Sequence, residues 1–268
     1  MDDRVSRERL ADVAERAARA GGAYLAEAFR AGPVRGEYGT DDVKAEADRA
    51  AEERVVDVLS EAFPGHAVHA EEAGRSDGSD DGSGYEWVVD PLDGTNNFAS
   101  GIPLFATAVA VRDEEGTLAA VVYEPLTDTC HRAVRGRGTT VDGHPPTPAE
   151  PLDLPRATVS FVRGLEAVRE PEHRRRGDRM AASLEAATKR VLRTWAPTVD
   201  YALVASGYVE GLVALRPDAF ERYAGELLLS EAGVATRQEG DRYVAAADES
   251  TLAALEACLE SRGDGGRT

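Results

Sequence analysis

The sequence predicts an α/β layered sandwich, and three observations carry that expectation. Two amphipathic helical segments open the chain. A series of short β-branched runs bounded by turn residues follows. From about position 157 to the end, strand-like and helix-like segments alternate.

The elements follow in order. Val5 to Phe29 reads as a helix, because Leu10, Val13, Ala14, Ala17, Ala18, Leu25 and Phe29 return at helical spacing, and Gly32-Pro33 ends it. Ala47 to Phe63 is a second helix with Val55, Val56, Leu59 and Phe63 on one face, stopped by Pro64-Gly65. Ala67–Ala70 and Glu86–Asp90 are β-like runs. Between them, Arg75 to Gly84 reads as a flexible acidic loop. Asp77, Ser79, Asp81 and Gly82 imitate a calcium loop, but Val88 stands where the bidentate Glu belongs, which argues against that reading. Phe105–Val111, Leu118–Tyr123 and Thr129–Val134 are three more strands, and a hairpin continues through Gly136 and Gly138 to Gly143. Pro145–Pro155 is the expected boundary between a domain of residues 1–150 and one of residues 151–268. Beyond it, strands at Ala157–Val162, Val191–Trp195, Val209–Leu215, Val234–Gln238 and Tyr243–Ala246 alternate with helices at Glu170–Ala187, Val199–Ser206, Ala219–Ala232 and Thr251–Leu259. The tail Arg262–Thr268 is expected to be disordered.

Composition narrows the function. A chain of 268 residues fits one large or two modest domains. A formal net charge of −18 repels nucleic acid and anionic membranes, so neither is an expected partner. Abundant Asp and Glu suggest an acid-rich solvated surface of the halophilic kind. Equal stability in dilute and molar salt would contradict that hypothesis. The start Met1-Asp2-Asp3-Arg4 lacks the apolar core of a signal peptide, no apolar run is long enough to span a bilayer, and the expected location is cytoplasmic. Cys130 and Cys258 imply neither a disulfide framework nor a zinc site. His69, on an apolar run, reads as a packing residue.

The most informative segment is Trp87-Val88-Val89-Asp90-Pro91-Leu92-Asp93-Gly94-Thr95-Asn96-Asn97-Phe98. An apolar strand ends in a carboxylate, proline stiffens the turn, a second carboxylate follows, and Gly-Thr opens a helical turn. Two carboxylates beside unpaired N–H groups place a hard-cation site next to an anion site, a pairing suited to metal-assisted chemistry on a phosphate ester.

Asp90 to Phe98 resembles the metal-binding motif of the inositol monophosphatase family, one of the magnesium-dependent sugar phosphatases. Ala70-Glu71-Glu72-Ala73-Gly74 resembles its upstream Gly-Glu-Glu element, and Phe220 to Gly225 followed by Ser230-Glu231-Ala232-Gly233 resembles its C-terminal signature. The resemblance implies helix and sheet layers in the order αβαβα, two or three Mg²⁺ ions per site, a small phosphorylated substrate, and a homodimer. It implies Glu71, Asp90, the main-chain carbonyl of Leu92, Asp93 and Glu221 as metal ligands. Asp48 and Thr95 would orient the attacking water, with Glu71 beside them, and Gly94, Thr95 and Asn96 would meet the phosphate. The expected activity is hydrolysis of an inositol phosphate, fructose bisphosphate or nucleotide phosphate by metal-activated water. A non-catalytic relative that binds a phosphorylated ligand or a protein partner is the alternative.

The chain departs from the family pattern at several positions. Lys44 stands for Thr in Asp42-Val43-Lys44-Ala45-Glu46-Ala47-Asp48. Phe220-Glu221 replaces Trp-Asp. Ala214 occupies the place of a substrate-contacting Glu, and Ala196-Pro197-Thr198-Val199 that of the Gly-Ser/Thr-Ala-Ala turn. Arg193 and Arg216 are candidates for a second phosphate or an acidic substrate.

Overall fold

In the computed structural model, which describes residues 5–32, 36–38, 43–78 and 84–260, two helices open the chain. Helix α1 (Arg7–Ala31) starts at Ser6, whose hydroxyl accepts from the Arg9 N–H. A short hairpin, β1 (Gly36–Tyr38) and β2 (Val43–Ala45), leads into α2 (Glu46–Ala62). Then come β3 (Ala67–Ala70), β4 (Gly74–Ser76), β5 (Glu86–Asp93), α3 (Thr95–Ala99), β6 (Ala106–Asp113), β7 (Gly116–Glu124), β8 (Thr129–Val134) and β9 (Gly138–Val141). Strands β3 to β9 form a seven-stranded sheet in the order β4-β3-β5-β6-β7-β8-β9, in which only β3 and β5 run parallel.

The second half contains β10 (Thr158–Arg163), α4 (Leu165–Arg169), α5 (Pro171–Ala187), β11 (Arg190–Leu192), α6 (Pro197–Ala205), β12 (Gly211–Leu215), α7 (Ala219–Glu231), β13 (Ala235–Glu239), β14 (Arg242–Ala246) and α8 (Glu249–Glu260). Its sheet has five strands in the order β11-β10-β12-β14-β13.

Side-chain alternation along the strands builds the layers. Val109 and Val111 of β6 pack with Leu10, Val13, Val55 and Leu59 of α1 and α2. Ala108 and Ala110, between and beside them, face the other way toward Val199, Ala202, Ala224 and Leu228 of α6 and α7. That face of the sheet is rich in alanine, so the middle helices approach it closely. The same helices cover Leu212, Ala214 and Ala245 of the second sheet, whose far face carries Val159, Val213 and Val244 against Leu184 of α5 and Leu252 and Leu255 of α8. The layer order is αβαβα, as expected. Among the described residues no helix is long and apolar enough to cross a membrane.

Some expectations need correction. Arg75 and Ser76 lie in β4, paired with Val68 and His69, and are not loop. Helix α4 was not foreseen, because five residues carry no readable period. The strand expected at Val191–Trp195 stops at Leu192, since Trp195 has φ 59°, a left-handed conformation no strand accommodates. His69 packs edge-on against Phe220, with ring centroids 4.8 Å apart. Cys130 and Cys258 form no disulfide. Asp42, the calcium-like positions Ser79, Asp81 and Gly82, and the tail Arg262–Thr268 lie outside the described residues.

Candidate active site

Strand β5 is irregular where the chemistry begins. Asp90 pairs with Ala108 and Asp93 with Ala106, so three steps on β5 match two on β6. This bulge holds Pro91, which has no N–H to give a ladder, and the Thr107 hydroxyl donates to the Pro91 carbonyl at 2.9 Å. In a regular strand, residues three apart point to opposite faces. The extra residue removes that opposition, and both Asp90 and Asp93 line one cleft of about 200 Å³.

Glu71 and Glu221 line the same cleft. Glu71 sits in the turn after β3, where its N–H donates to Val89 at 3.2 Å. The buried Glu52 of α2 secures that turn, accepting from the N–H groups of Glu72 and Ala73 at 2.8 Å each. Glu221 opens α7 and forms a capping box with Asp218, accepting from the Asp218 N–H at 3.3 Å while it faces the cleft.

These carboxylates raise one another. Burial first, then the charges of Glu71, Asp93 and Glu221, hold Asp90 well above the ordinary carboxylate range. Desolvation and the charges of Asp93, Asp218 and Glu71 do the same to Glu221. Burial pushes Asp93 up to about 7, against hydrogen bonds from Thr198 that pull it down. Among the described residues, Asp90, Asp93 and Glu221 form no ion pair with a basic side chain.

A hard divalent cation fits this donor set. Oxygen ligands that destabilise one another when ionised are relieved by a positive charge among them. No three His, Cys, Asp or Glu side chains among the described residues stand at finished ligating spacing, so the carboxylates share the cleft without being drawn to a common point. The Leu92 carbonyl accepts from the Thr95 hydroxyl at 2.9 Å.

Thr95 lines the cleft, and Asp48 stands behind it. The Asp48 carboxylate is 3.5 Å from the Thr95 hydroxyl, at the outer limit of a hydrogen bond, and is not part of the cleft wall. Asp48 therefore adjoins the cleft through the Thr95 hydroxyl. Gly94 precedes α3 with φ 92°, and a Cβ there would stand 3.0 Å from the Leu104 carbonyl oxygen, so glycine is required on both counts. Asn96 also lines the cleft.

Thr198 was expected in an altered substrate-reading turn, and the structure assigns it another task. Pro197 occupies the first turn of α6, where its missing N–H costs nothing. The Thr198 N–H, at 2.8 Å, and its hydroxyl both donate to Oδ2 of Asp93. The left-handed residue of this turn is Trp195, whereas Ala196 has φ −137°. A non-glycine residue in the left-handed conformation costs roughly 1–2 kcal/mol.

Asp200 was not anticipated. It is fully buried yet contributes to the cleft wall, accepts from the hydroxyls of Ser160 at 2.8 Å and Thr194 at 2.7 Å, and is pushed by burial up to about 7. Arg193 lines the cleft. Arg216 does not: it is tied to Glu166 at 2.6 Å and Asp241 at 3.3 Å. Ala214 faces the middle helix layer. Glu231 leaves the site altogether and accepts from the Gly136 and Gly138 N–H groups, closing the β8–β9 turn.

Two of the missed residues left a signal. Asp48, Glu52, Val55 and Leu59 are all buried on α2 at spacings of four, three and four, so Glu52 lies on the buried stripe where a carboxylate needs a partner. Asp200 interrupts an otherwise apolar helix in the same way.

The model of the inositol monophosphatase family matches residues 6–262. Nus factor SuhB of Escherichia coli strain K12 is 32% identical over 228 residues, covering 84% of this chain and 83% of that protein. The crystal structure of extragenic suppressor protein suhB from Bartonella henselae superposes with a TM-score of 0.86 at 25% identity, over 95% of this chain and 99% of that one. The inositol monophosphatase from Anabaena superposes with a TM-score of 0.79 at 25% identity, over 94% and 96%. With a family model spanning nearly its whole length, the chain belongs to the inositol monophosphatase family.

Proposed function

We propose that this protein is a Mg²⁺-dependent phosphomonoesterase acting on a small phosphorylated substrate. The observation that carries the proposal is the meeting of four carboxylates, from the β3 turn, β5 and α7, in one cleft beside Gly94, Thr95 and Asn96. Glu71, Asp90, Asp93 and Glu221, with the Leu92 carbonyl, would hold the cations. When bound, divalent cations neutralise phosphoryl oxygens and lower the pKa of water.

The chain's own groups do the rest. Thr95 and Asp48 orient a water and stand ready for its proton, Asp48 through the Thr95 hydroxyl. Gly94, Thr95 and Asn96 face the phosphate, and the Asp93–Thr198 bonds fix one ligand against rotation. Phosphate release from a panel of inositol, fructose, glycerol and nucleotide esters, with and without Mg²⁺, tests the proposal. Release that is unaffected by chelation contradicts it. Assembly as a homodimer belongs to the same proposal and is checked by light scattering.

A second reading is favoured by the name of the Escherichia coli relative, a Nus factor. In it the chain serves as a binding partner and retains the carboxylates as a structural cation site. A folded protein that binds Mg²⁺ and releases phosphate from none of these esters would support that reading.

A further inference from the structure

Asn97 follows the cleft-lining run Leu92 to Asn96 but does not itself line the cleft. It is buried in α3, and its side-chain amide lies between two main-chain carbonyls. It donates to Leu104 at 2.8 Å and to Thr194 at 2.7 Å. A carbonyl oxygen can only accept, so the pair fixes the amide with its nitrogen toward them, and both of its N–H groups are used. Leu104 precedes β6 in the first half of the chain. Thr194 stands in the turn before α6 in the second.

Helix α3 needs such an anchor, because a helix of five residues closes too few bonds to hold itself. Phe98 fixes it to the first half, with its ring centroid 4.9 Å from Phe105 and 5.6 Å from Phe29. The Asn97 amide reaches the second half. The turn it meets is itself held. The Thr194 hydroxyl donates to Asp200 at 2.7 Å and accepts from the Ala196 N–H at 3.1 Å, and Asp200 accepts from the Ser160 hydroxyl of β10 at 2.8 Å. A line of hydrogen bonds thus runs from α3 through the 194–197 turn to the second sheet.

The cleft is walled from both halves, by Thr95 and Asn96 from one and by Arg163, Trp195 and Pro197 from the other. Thr95 stands two residues before Asn97 in the same short helix, so a tilt of α3 moves the Thr95 hydroxyl. A second tie between the halves, from Thr198 to Asp93, varies with the charge and the cation load of Asp93. The Asn97 amide carries no charge, and its two bonds owe nothing to cation loading.

We propose, resting on the phosphatase reading, that Asn97 is a positioning residue for hydrolysis: its amide locks α3 to the 194–197 turn and so aims the Thr95 hydroxyl at the attacking water. A misplacement of about 1 Å in a reacting group costs roughly a hundredfold in rate.

Asn97→Leu keeps the size of the side chain and removes both donors. At a temperature where circular dichroism shows the variant folded, kcat for phosphate release should fall about 10–100-fold while KM stays within about threefold. Calorimetric Mg²⁺ affinity should also hold, because Glu71, Asp90, Asp93 and Glu221 lie outside α3. A role in stability alone would lower the melting temperature and leave kcat of the folded protein unchanged. Thr194→Val removes the hydroxyl that anchors the turn and keeps the carbonyl that Asn97 meets. It should show the same split with a smaller fall in kcat, and it decides the matter if Asn97→Leu does not fold. The double variant should be no slower than Asn97→Leu, since both act on one connection. Unchanged kcat in the folded variants, or an equal loss of kcat and Mg²⁺ affinity, overturns the proposal and leaves the phosphatase reading intact. A wild type that releases phosphate from no ester overturns both.

Discussion

Asp93 of β5 and Thr198 of α6, 105 positions apart, are joined twice at one oxygen: the Thr198 N–H and hydroxyl both donate to Asp93 Oδ2. The bond ties the sheet of the first half to the start of a helix in the second. It also lets Asp93 remain buried beside other carboxylates, because donors at a helix N-terminus favour its charged form. An asparagine at position 93 keeps an acceptor for these donors and removes the charge. Asp93→Asn should therefore fold normally, with unchanged or higher melting temperature in EDTA, and lose the stabilisation that Mg²⁺ gives the wild type. Thermal melts with and without Mg²⁺ check this.

Glu221 caps α7 and faces the carboxylate cleft at once, so its removal has two consequences. Glu221→Ala should cost about 0.5–1.5 kcal/mol of stability through the lost cap bond. It should also abolish turnover. Urea unfolding and phosphate release separate the two effects, and near-normal turnover would remove Glu221 from the site.

Glu52 touches no candidate ligand side chain, but it holds the turn that carries Glu71. Glu52→Ala leaves two N–H groups without their acceptor and should cost about 1–3 kcal/mol. Mg²⁺ affinity should fall roughly 10–100-fold, as for partners that orient a metal ligand. Glu52→Gln, which retains one acceptor oxygen, should lie between. Calorimetric Mg²⁺ titration of the two variants checks the order.

Asp200 gives a pH signature. Its folded pKa of about 7 lies above the ordinary value of 3.8, so the folded state keeps a proton that the unfolded state releases. The stability this proton contributes is complete below about pH 4 and is lost as pH rises toward 7. Asp200→Asn should lessen the fall in stability across that window, part of which belongs to Asp93, also pushed up to about 7, measured by urea unfolding in EDTA at several pH values. An unchanged slope would show that Asp200 does not hold the proton.

Much of this architecture was legible because it is periodic or local. Helices α1 and α2 showed their apolar stripes, β6 to β8 their β-branched runs, and the Asp90–Phe98 segment its strand, turn and helix start. The less legible features depend on partners distant in sequence. Thr198 reads as a turn residue until β5 brings Asp93 beside it. Trp195 looks like the end of a strand, because nothing local announces a left-handed tryptophan. Glu221 is expected at the site only through the family resemblance, since alone it reads as a helix-opening acid, and the packing of α7 against β5 and β6 gives it a cleft to face. Arg216 illustrates the reverse error: its charge invited a functional role, and two nearby carboxylates already occupy it.

The central claim is that Glu71, Asp90, Asp93 and Glu221 together form a cation centre that drives phosphate ester hydrolysis. Calorimetric Mg²⁺ binding and phosphate release, measured in parallel on the wild type and Asp93→Asn, test it most directly. The account predicts Mg²⁺ binding and Mg²⁺-dependent release in the wild type, and the loss of both in the variant. Phosphate release that persists in Asp93→Asn at the wild-type rate, or in the wild type under EDTA, would contradict it.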